Sequence, residues 1–259
     1  MNILGVIPAR MSATRFPDKP LAKIMGLPMI GHVYLRAKLC KNLSDVYVAT
    51  CDQEICDFIH SIGGKTIMTK DTHERATDRT SEAYEKIILI EGRTFDSVLM
   101  IQGDEPLLNP ELLDGMISFH VNQVNPSVTN LVSKIHSLDE FNNTNVVKTV
   151  MDKNGQVLYF SRSPIPSNAK YMGKLPMWKQ LGLILFSAEA LRGYSSFHPT
   201  ELEIIESVDM NRLLENDINI QSFPTSDVSQ AVDIPEDIGV VEALMEHDSL
   251  VNEYIKNVI

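Results

Sequence analysis

Cysteine is scarce in this chain, with three in 259 residues, Cys40, Cys51 and Cys56. Their small number and irregular spacing argue against a disulfide framework or a zinc site and fit a reducing compartment. Long apolar runs are missing too. Met1 leads straight into an apolar strand, without a basic region or a small-residue cleavage site, so neither secretion nor membrane spanning is expected and the expected location is cytoplasmic. Cations are outnumbered: 23 Lys and Arg against 34 Asp and Glu give a formal charge of −11. A surface of that sign repels nucleic acid and anionic membranes, and neither is expected as a partner. The glycine signatures of nucleotide binding are also absent, since no Gly-x-Gly-x-x-Gly follows the first strand and no loop ends in Gly-Lys-Ser/Thr.

What the chain does have is 44% hydrophobic content, enough to bury one substantial core, and a single domain over 1–259 is expected. Ile3 to Ile7 read as a central strand that Pro8 stops, having no amide hydrogen to give, and the apolar spacing from Met29 to Ala37 is helical. Arg10, Arg15 and Lys19 lie between them. Three cations on one loop at the carboxyl end of a first strand suit a polyanion such as a triphosphate, although a solvated surface loop is the other reading.

Strand and helix then alternate: strand Val46 to Thr50, helix Gln53 to Ile62 closed by Gly63 and Gly64, strand Lys65 to Met68, helix Asp78 to Ile90, strand Ser97 to Ile101, helix Pro110 to Asn122. This rhythm predicts an α/β fold with a mostly parallel, doubly wound, Rossmann-like sheet. After Pro126 it changes. Val128 to Ile135, Val146 to Val150 and Val157 to Ser161 predict antiparallel strands, in an acceptor-side and dimerisation subregion over about 127–200. Ser167 to Lys179 reads as a loop and Gln180 to Phe186 as a strand. Thr200 to Glu203 forms a capping-box pattern opening a helix to about Glu215, with Glu206, Asp209 and Arg212 on one face and Leu202, Ile205 and Leu213 on the buried one. Ile218 to Phe223 is a last strand, and Pro235 begins a terminal helix.

Two carboxylates stand out. Asp104, in the Gln102-Gly103-Asp104-Glu105-Pro106 run, sits where a strand empties toward the ligand edge of an α/β sheet and is suited either to hold Mg²⁺ or to cap a turn. Asp233, two residues before Pro235, has the form of an ordinary helix cap. Arg79 and Arg162 each offer a guanidinium fork that matches a carboxylate, or a structural ion pair. His73 has no metal-ligand partner at a matching spacing and reads as a loop hydrogen bond.

The run IPARMSATRFPDKPL resembles the signature loop of the cytidylyltransferases that make CMP-activated 3-deoxy sugar acids, above all the 3-deoxy-manno-octulosonate (Kdo) cytidylyltransferases. The similarity continues in the family's order through HERATDR, IQGDEPLL, YFSRSPIP, QLGLILFS, LEIIESVDMNRLLEN and VDIPEDI, nearly the whole chain. It implies Mg²⁺-dependent transfer of CMP from CTP to a 3-deoxy-2-keto sugar acid, a place in lipopolysaccharide biosynthesis, and a homodimer. By the same resemblance Pro8, Ala9, Arg10, Arg15, Lys19 and Gln102 bind the nucleotide, with Arg10, Arg15, Lys19, Asp104 and Asp233 catalytic. Asp104 and Asp233 form the metal pair, and Arg79, Arg162, Gln180, Glu206 and Asp209 belong to the acceptor side.

Departures cluster on that acceptor side. Where the Kdo enzymes usually carry His before Leu-Gly, this chain has Gln180; Asp209-Met210 stands for Glu-Gln, and Arg75-Ala76 for Ser-Gly. A site built to hydrogen-bond a hydroxylated acid discriminates strongly when its partners change. The departures therefore predict poor use of unmodified Kdo and preference for an acid altered at a distal hydroxyl or amino position, unless Arg75 or Asn211 restores the contacts. Alternatives are an amino-modified octulosonate, another 2-keto-3-deoxy acid, a phosphonate, or a nucleotide-binding protein without turnover.

Overall fold

The structure, a computed structural model, describes residues 1–12, 16–226 and 230–255. In chain order the elements are β1 (Ile3–Pro8), a 3₁₀ turn (Lys19–Leu21), β2 (Lys23–Ile24), β3 (Leu27–Pro28), α1 (Met29–Lys38), β4 (Asp45–Thr50), α2 (Gln53–Ser61), β5 (Thr66–Met68), α3 (Ala76–Glu91), β6 (Ser97–Met100) and α4 (Pro110–Val121). They continue as β7 (Val128–Lys134), α5 (Leu138–Asn142), β8 (Lys148–Met151), β9 (Val157–Ser161), β10 (Trp178–Ser187), α6 (Ala188–Ser196), α7 (Glu201–Glu206), α8 (Met210–Glu215), β11 (Ile220–Thr225), α9 (Asp237–Met245) and α10 (Ser249–Tyr254). Two compact units share them. One takes Met1–Ile117 and the carboxyl-terminal segment, and the other takes the stretch between, which contains the expected 127–200 subregion.

The first unit is the parallel βα system. β1 pairs with β4 and β6, and β4 with β5, all parallel, with Leu4 opposite Asp45 and Ile3 opposite Ser97. Every residue of β1, β4 and β6 is buried, which is why these strands read as continuous apolar runs rather than alternating ones. Gly63 and Gly92 close α2 and α3 at positive φ, the left-handed geometry that a side chain disfavours.

α9 and α10 complete this unit. Val241, Met245, Val251 and Tyr254 form one apolar cluster with Ile24, Leu27, Met29 and Val232. A buried polar network backs it: His32 bonds the Tyr254 hydroxyl through Nδ1 (2.8 Å) and the Ile24 carbonyl through Nε2 (2.8 Å), and Arg36 donates to Tyr254 and pairs with Asp248. The terminal helices thereby set both the segment after Lys19 and the strand-like loop at Val232.

In the second unit β10 runs antiparallel to β7 and β8, and β8 antiparallel to β9, as the change of rhythm predicts. β11 joins β7 in parallel. Trp178 and Lys179, expected in a loop, already belong to β10, and α5 and α6 were not anticipated. Their signals are short: Ser137 and Ser187 accept from the amides three residues on, those of Glu140 and Ala190, as N-caps do.

The helix expected from Thr200 to Glu215 is two helices. Ser207, at φ 53°, breaks it between α7 and α8 and resets the helical phase, so the face assignment holds at Leu213, which is buried, and fails at Ile205 and Arg212. Ile205 is 67% exposed instead of buried, and Arg212 is 5% exposed instead of solvated. Arg212 donates twice to the buried Glu203 carboxylate (2.7 and 2.6 Å) and lies over the Tyr194 ring. Glu203 is thus shared, its carboxylate also accepting from the Thr200 amide (3.3 Å) as the capping-box pattern predicts.

Candidate active site

The first strand ends where the chemistry begins. Beyond Pro8 the chain enters a cleft of about 290 Å³ in the first unit, whose lining includes Ala9, Arg10, Lys19, Arg75, Arg79, Gln102, Gly103 and Asp104. Gly103 permits a close approach to β1: a Cβ there would lie 3.1 Å from the Pro8 carbonyl oxygen, a tight contact.

Lys19 organises this end. Its ammonium donates to Asp104 Oδ2 (2.7 Å) and to the Val232 carbonyl (2.6 Å). The Val232 amide in turn donates to the Asp104 carbonyl (2.9 Å), so the two acidic loops named from sequence are fastened side by side. Asp233 follows immediately and is exposed. Asp237, in the first turn of α9, accepts from the amides of Asp233 (2.7 Å) and Ile234 (3.0 Å) and so shapes the Asp233 loop. α9 begins at this residue, two positions after Pro235. Oxygen-only donors, solvent access and a neighbouring ammonium suit a hard cation that brings phosphate oxygens with it, as Mg²⁺ does.

Arg10 is exposed and donates to the His73 carbonyl (3.3 Å). Arg15 lies outside the described residues. His73 bonds Glu82, the loop role its sequence context suggests. Burial opposes the Glu82 charge, but hydrogen bonds from Lys86, the Lys70 amide and His73 outweigh it and hold that carboxyl down to about 2. The segment carrying Arg75 and Arg79 is thereby pinned beside the cleft.

Arg79 and Arg162, alternatives for the acceptor carboxylate, fall in different units. Arg79 is 3% exposed and lines the cleft with the loop cations. One of its terminal nitrogens donates to Thr69 and to the Lys70 carbonyl, and the other, Nη2, has no partner among the described residues. Arg162 is committed to backbone: Nε to the Glu206 carbonyl (2.7 Å), Nη1 to Thr144 (3.0 Å) and Nη2 to Ser207 (3.2 Å). The Glu206 carboxylate accepts from Tyr159, Ser161 and the Arg162 amide. Burial raises its pKa, and these bonds bring the net shift below the usual carboxylate range. Of the two readings open for Arg162, the structure shows the structural one: its guanidinium clasps the Thr144 and Ser207 loops, beside the half-buried Glu206 carboxylate.

Gln180, on β10, donates to Asn130 (2.9 Å), and Asp209 is half-buried directly before α8. Met210 is fully buried, and Asn211 exchanges both amide bonds with the Phe160 backbone, so neither is free to replace a lost acceptor contact. Sequence reasoning missed the Val232 carbonyl and Asn130, since neither residue type carries a functional signal alone.

The family described as Cytidylyltransferase matches residues 4–220. A 3-deoxy-manno-octulosonate cytidylyltransferase of Thermodesulfovibrio yellowstonii is 42% identical over 250 residues, 93% of this chain and 97% of the relative. One from Geobacter metallireducens is 39% identical over 255 residues, 94% and 98% of the two chains. A solved structure of CMP:2-keto-3-deoxy-manno-octonic acid synthetase complexed with CTP matches at a TM-score of 0.86 and 34% identity, covering 95% of this chain and 99% of that one. Kinship along almost the whole chain, joined to a shared fold, places this protein in the cytidylyltransferase family, among the 3-deoxy-manno-octulosonate cytidylyltransferases.

Proposed function

We propose that this nucleotidyltransferase moves CMP from CTP to 3-deoxy-manno-octulosonate, releasing pyrophosphate. The observation that carries the site assignment is the Lys19 ammonium, which ties Asp104 to the Asp233 loop inside a cleft lined by Arg10, Arg79 and Gln102. A hydroxyl oxygen of the sugar acid bonds to the α-phosphorus, the bond from that phosphorus to the pyrophosphate oxygen breaks in line with its electron pair going to pyrophosphate, and the hydroxyl proton passes to water. No covalent enzyme intermediate is needed, so positioning and charge neutralisation supply the catalysis.

Arg10 and Lys19 hold the triphosphate against the field of an acidic protein, with Arg15 assigned the same role from the motif. Arg79 lines the same cleft, with its Nη2 buried and unpartnered among the described residues. Gln102 contacts the cytidine, and Gly103 lets the Pro8–Ala9 backbone approach it. Asp104 and Asp233 would hold Mg²⁺, which supplies neutralisation of phosphate charge and a lowered pKa for the attacking hydroxyl. Among the described residues no three metal-ligating side chains converge, so water and substrate oxygens would have to supply the remaining ligands. Gln180 and Asp209 are assigned to the acceptor, and Arg162 and Glu206 support that region from behind.

Pyrophosphate release from CTP and Mg²⁺, measured across a panel of 2-keto-3-deoxy acids, tests the reading. The expected result is turnover with Kdo; pyrophosphate with a different acid and none with Kdo replaces the acceptor, and the Gln180 departure is what favours that second reading.

A homodimer belongs to the same proposal. The second unit leaves Leu158, Ile204 and Ile205 59–67% exposed, and apolar surface of this kind is commonly covered by a partner copy. Light scattering at micromolar concentration should give twice the 29.0 kDa chain mass; a monomer mass refutes it. The cytoplasm, which holds CTP, is the proposed compartment, and supply of an activated sugar acid for lipopolysaccharide is the proposed role. No described helix is long and apolar enough to cross a membrane.

A further inference from the structure

We propose that Asn130 locks the Gln180 side chain so that its free end can only accept a hydrogen bond. Position 180 thereby selects acceptor acids that present a donor there, a hydroxyl or an ammonium. This rests on the reading of Gln180 as an acceptor contact and specifies what that contact demands.

The lock begins in the backbone. β10 pairs regularly with β7 up to Gln180 opposite Val132 and resumes at Ile184 opposite Asn130, so four steps on one strand face two on the other. Such a bulge leaves carbonyls out of the ladder. The buried Asn130 side chain fills the gap: its Nδ2 donates to the carbonyls of Leu181 (3.0 Å) and Leu183 (3.2 Å). Backbone carbonyls have no hydrogen to give, so the group facing them must be the Asn130 nitrogen.

Polarity then propagates outward. With Nδ2 committed to the bulge, Oδ1 faces Gln180, and Gln180 must answer with Nε2, at 2.9 Å. Turning the glutamine amide would set two oxygens face to face, and turning Asn130 to relieve that would strip the bulge carbonyls of their donor. The Gln180 backbone N–H also fixes the main chain here, donating to the Val147 carbonyl (2.9 Å). Gln180 Oε1 remains. It has no partner among the described residues and is not a sealed atom.

An imidazole at this position could present either a donor or an acceptor by choice of tautomer. A glutamine whose nitrogen is tied can only accept. Asn130 is in these terms a positioning residue and Gln180 the selector.

The test compares kcat/KM for Kdo with analogues in which one hydroxyl at a time is replaced by hydrogen, by fluorine or by an amino group. In the parent enzyme one position should tolerate the amino replacement and reject both hydrogen and fluorine, each by roughly tenfold to a hundredfold. Gln180→Met should bring Kdo down to the level of that deoxy analogue, leaving the analogue's own rate and the KM for CTP unchanged. Analogue ratios that Gln180→Met leaves untouched overturn the proposal, as does a parent enzyme preferring fluorine to hydroxyl. Should another acid prove to be the acceptor, the panel is built on that acid, so failure of the Kdo assignment stays distinct from failure of the lock. A readout free of turnover is the Gln180 side-chain amide signal in a ¹⁵N spectrum, which should shift in Asn130→Ala. An unmoved signal in a folded Asn130→Ala protein overturns the lock, and if that variant does not fold, Asn130→Ser serves in its place.

Discussion

Asp104→Asn is expected to lower CMP transfer by on the order of a thousandfold, with a thermal midpoint close to that of the parent protein. The fold should survive because the residue sits on a loop with its side chain 30% exposed, and an asparagine oxygen can still accept from Lys19. The catalytic loss should be large because the change removes a charge from a loop that Lys19 and the Val232 backbone bind directly to the Asp233 loop. Asp233→Asn should behave alike. Steady-state pyrophosphate release at saturating CTP decides the matter, and near-parental turnover in either variant at saturating Mg²⁺ would remove the carboxylates from the metal-bearing role.

The second large effect is on stability. Arg212→Ala should destabilise the protein by about 3–5 kcal/mol, since it leaves the Glu203 carboxylate buried without its counter-charge. Glu203 is 2% exposed, and two of the bonds its carboxylate accepts come from Arg212. The double change Glu203→Leu with Arg212→Met should recover most of the loss, because apolar residues of similar volume need no partner. Urea unfolding measures both. A loss below about 1 kcal/mol for Arg212→Ala would assign the pair the small weight of a surface ion pair.

These two effects differ in how far the sequence announced them. Asp104 was visible because it closes a strand-exit loop at the ligand edge, where metal ligand and turn cap read equally well, and because the surrounding motif matches a family in order. The burial of Arg212 was not visible. A charged residue spaced three from two acids reads as a solvated face, and nothing in Glu206-Ser207-Val208 signals a break, since serine is not the residue that usually takes a left-handed backbone. One residue at φ 53° was enough to carry Arg212 inside and turn Ile205 out. Arg162 shows the same limit. Its motif fits a free guanidinium, yet the three backbone carbonyls that hold it come from Thr144, Glu206 and Ser207, remote in sequence.

By itself the sequence determined the alternation of apolar strands and capped helices, and hence the parallel sheet of the first unit. It also determined the cationic loop after β1 and the acidic strand-exit loop at Asp104. Local patterns suffice for these because burial on both faces, helix stops and strand-exit loops each act within a few residues. The tertiary structure alone decided what those groups meet. Lys19 reaches Asp104 across 85 positions and Val232 across 213, Gln180 reaches Asn130 across 50, and the Asn130 amide takes its direction from carbonyls freed by a bulge. Hydrogen-bond polarity is set by partners, and partners this far apart along the chain exist only once it has folded.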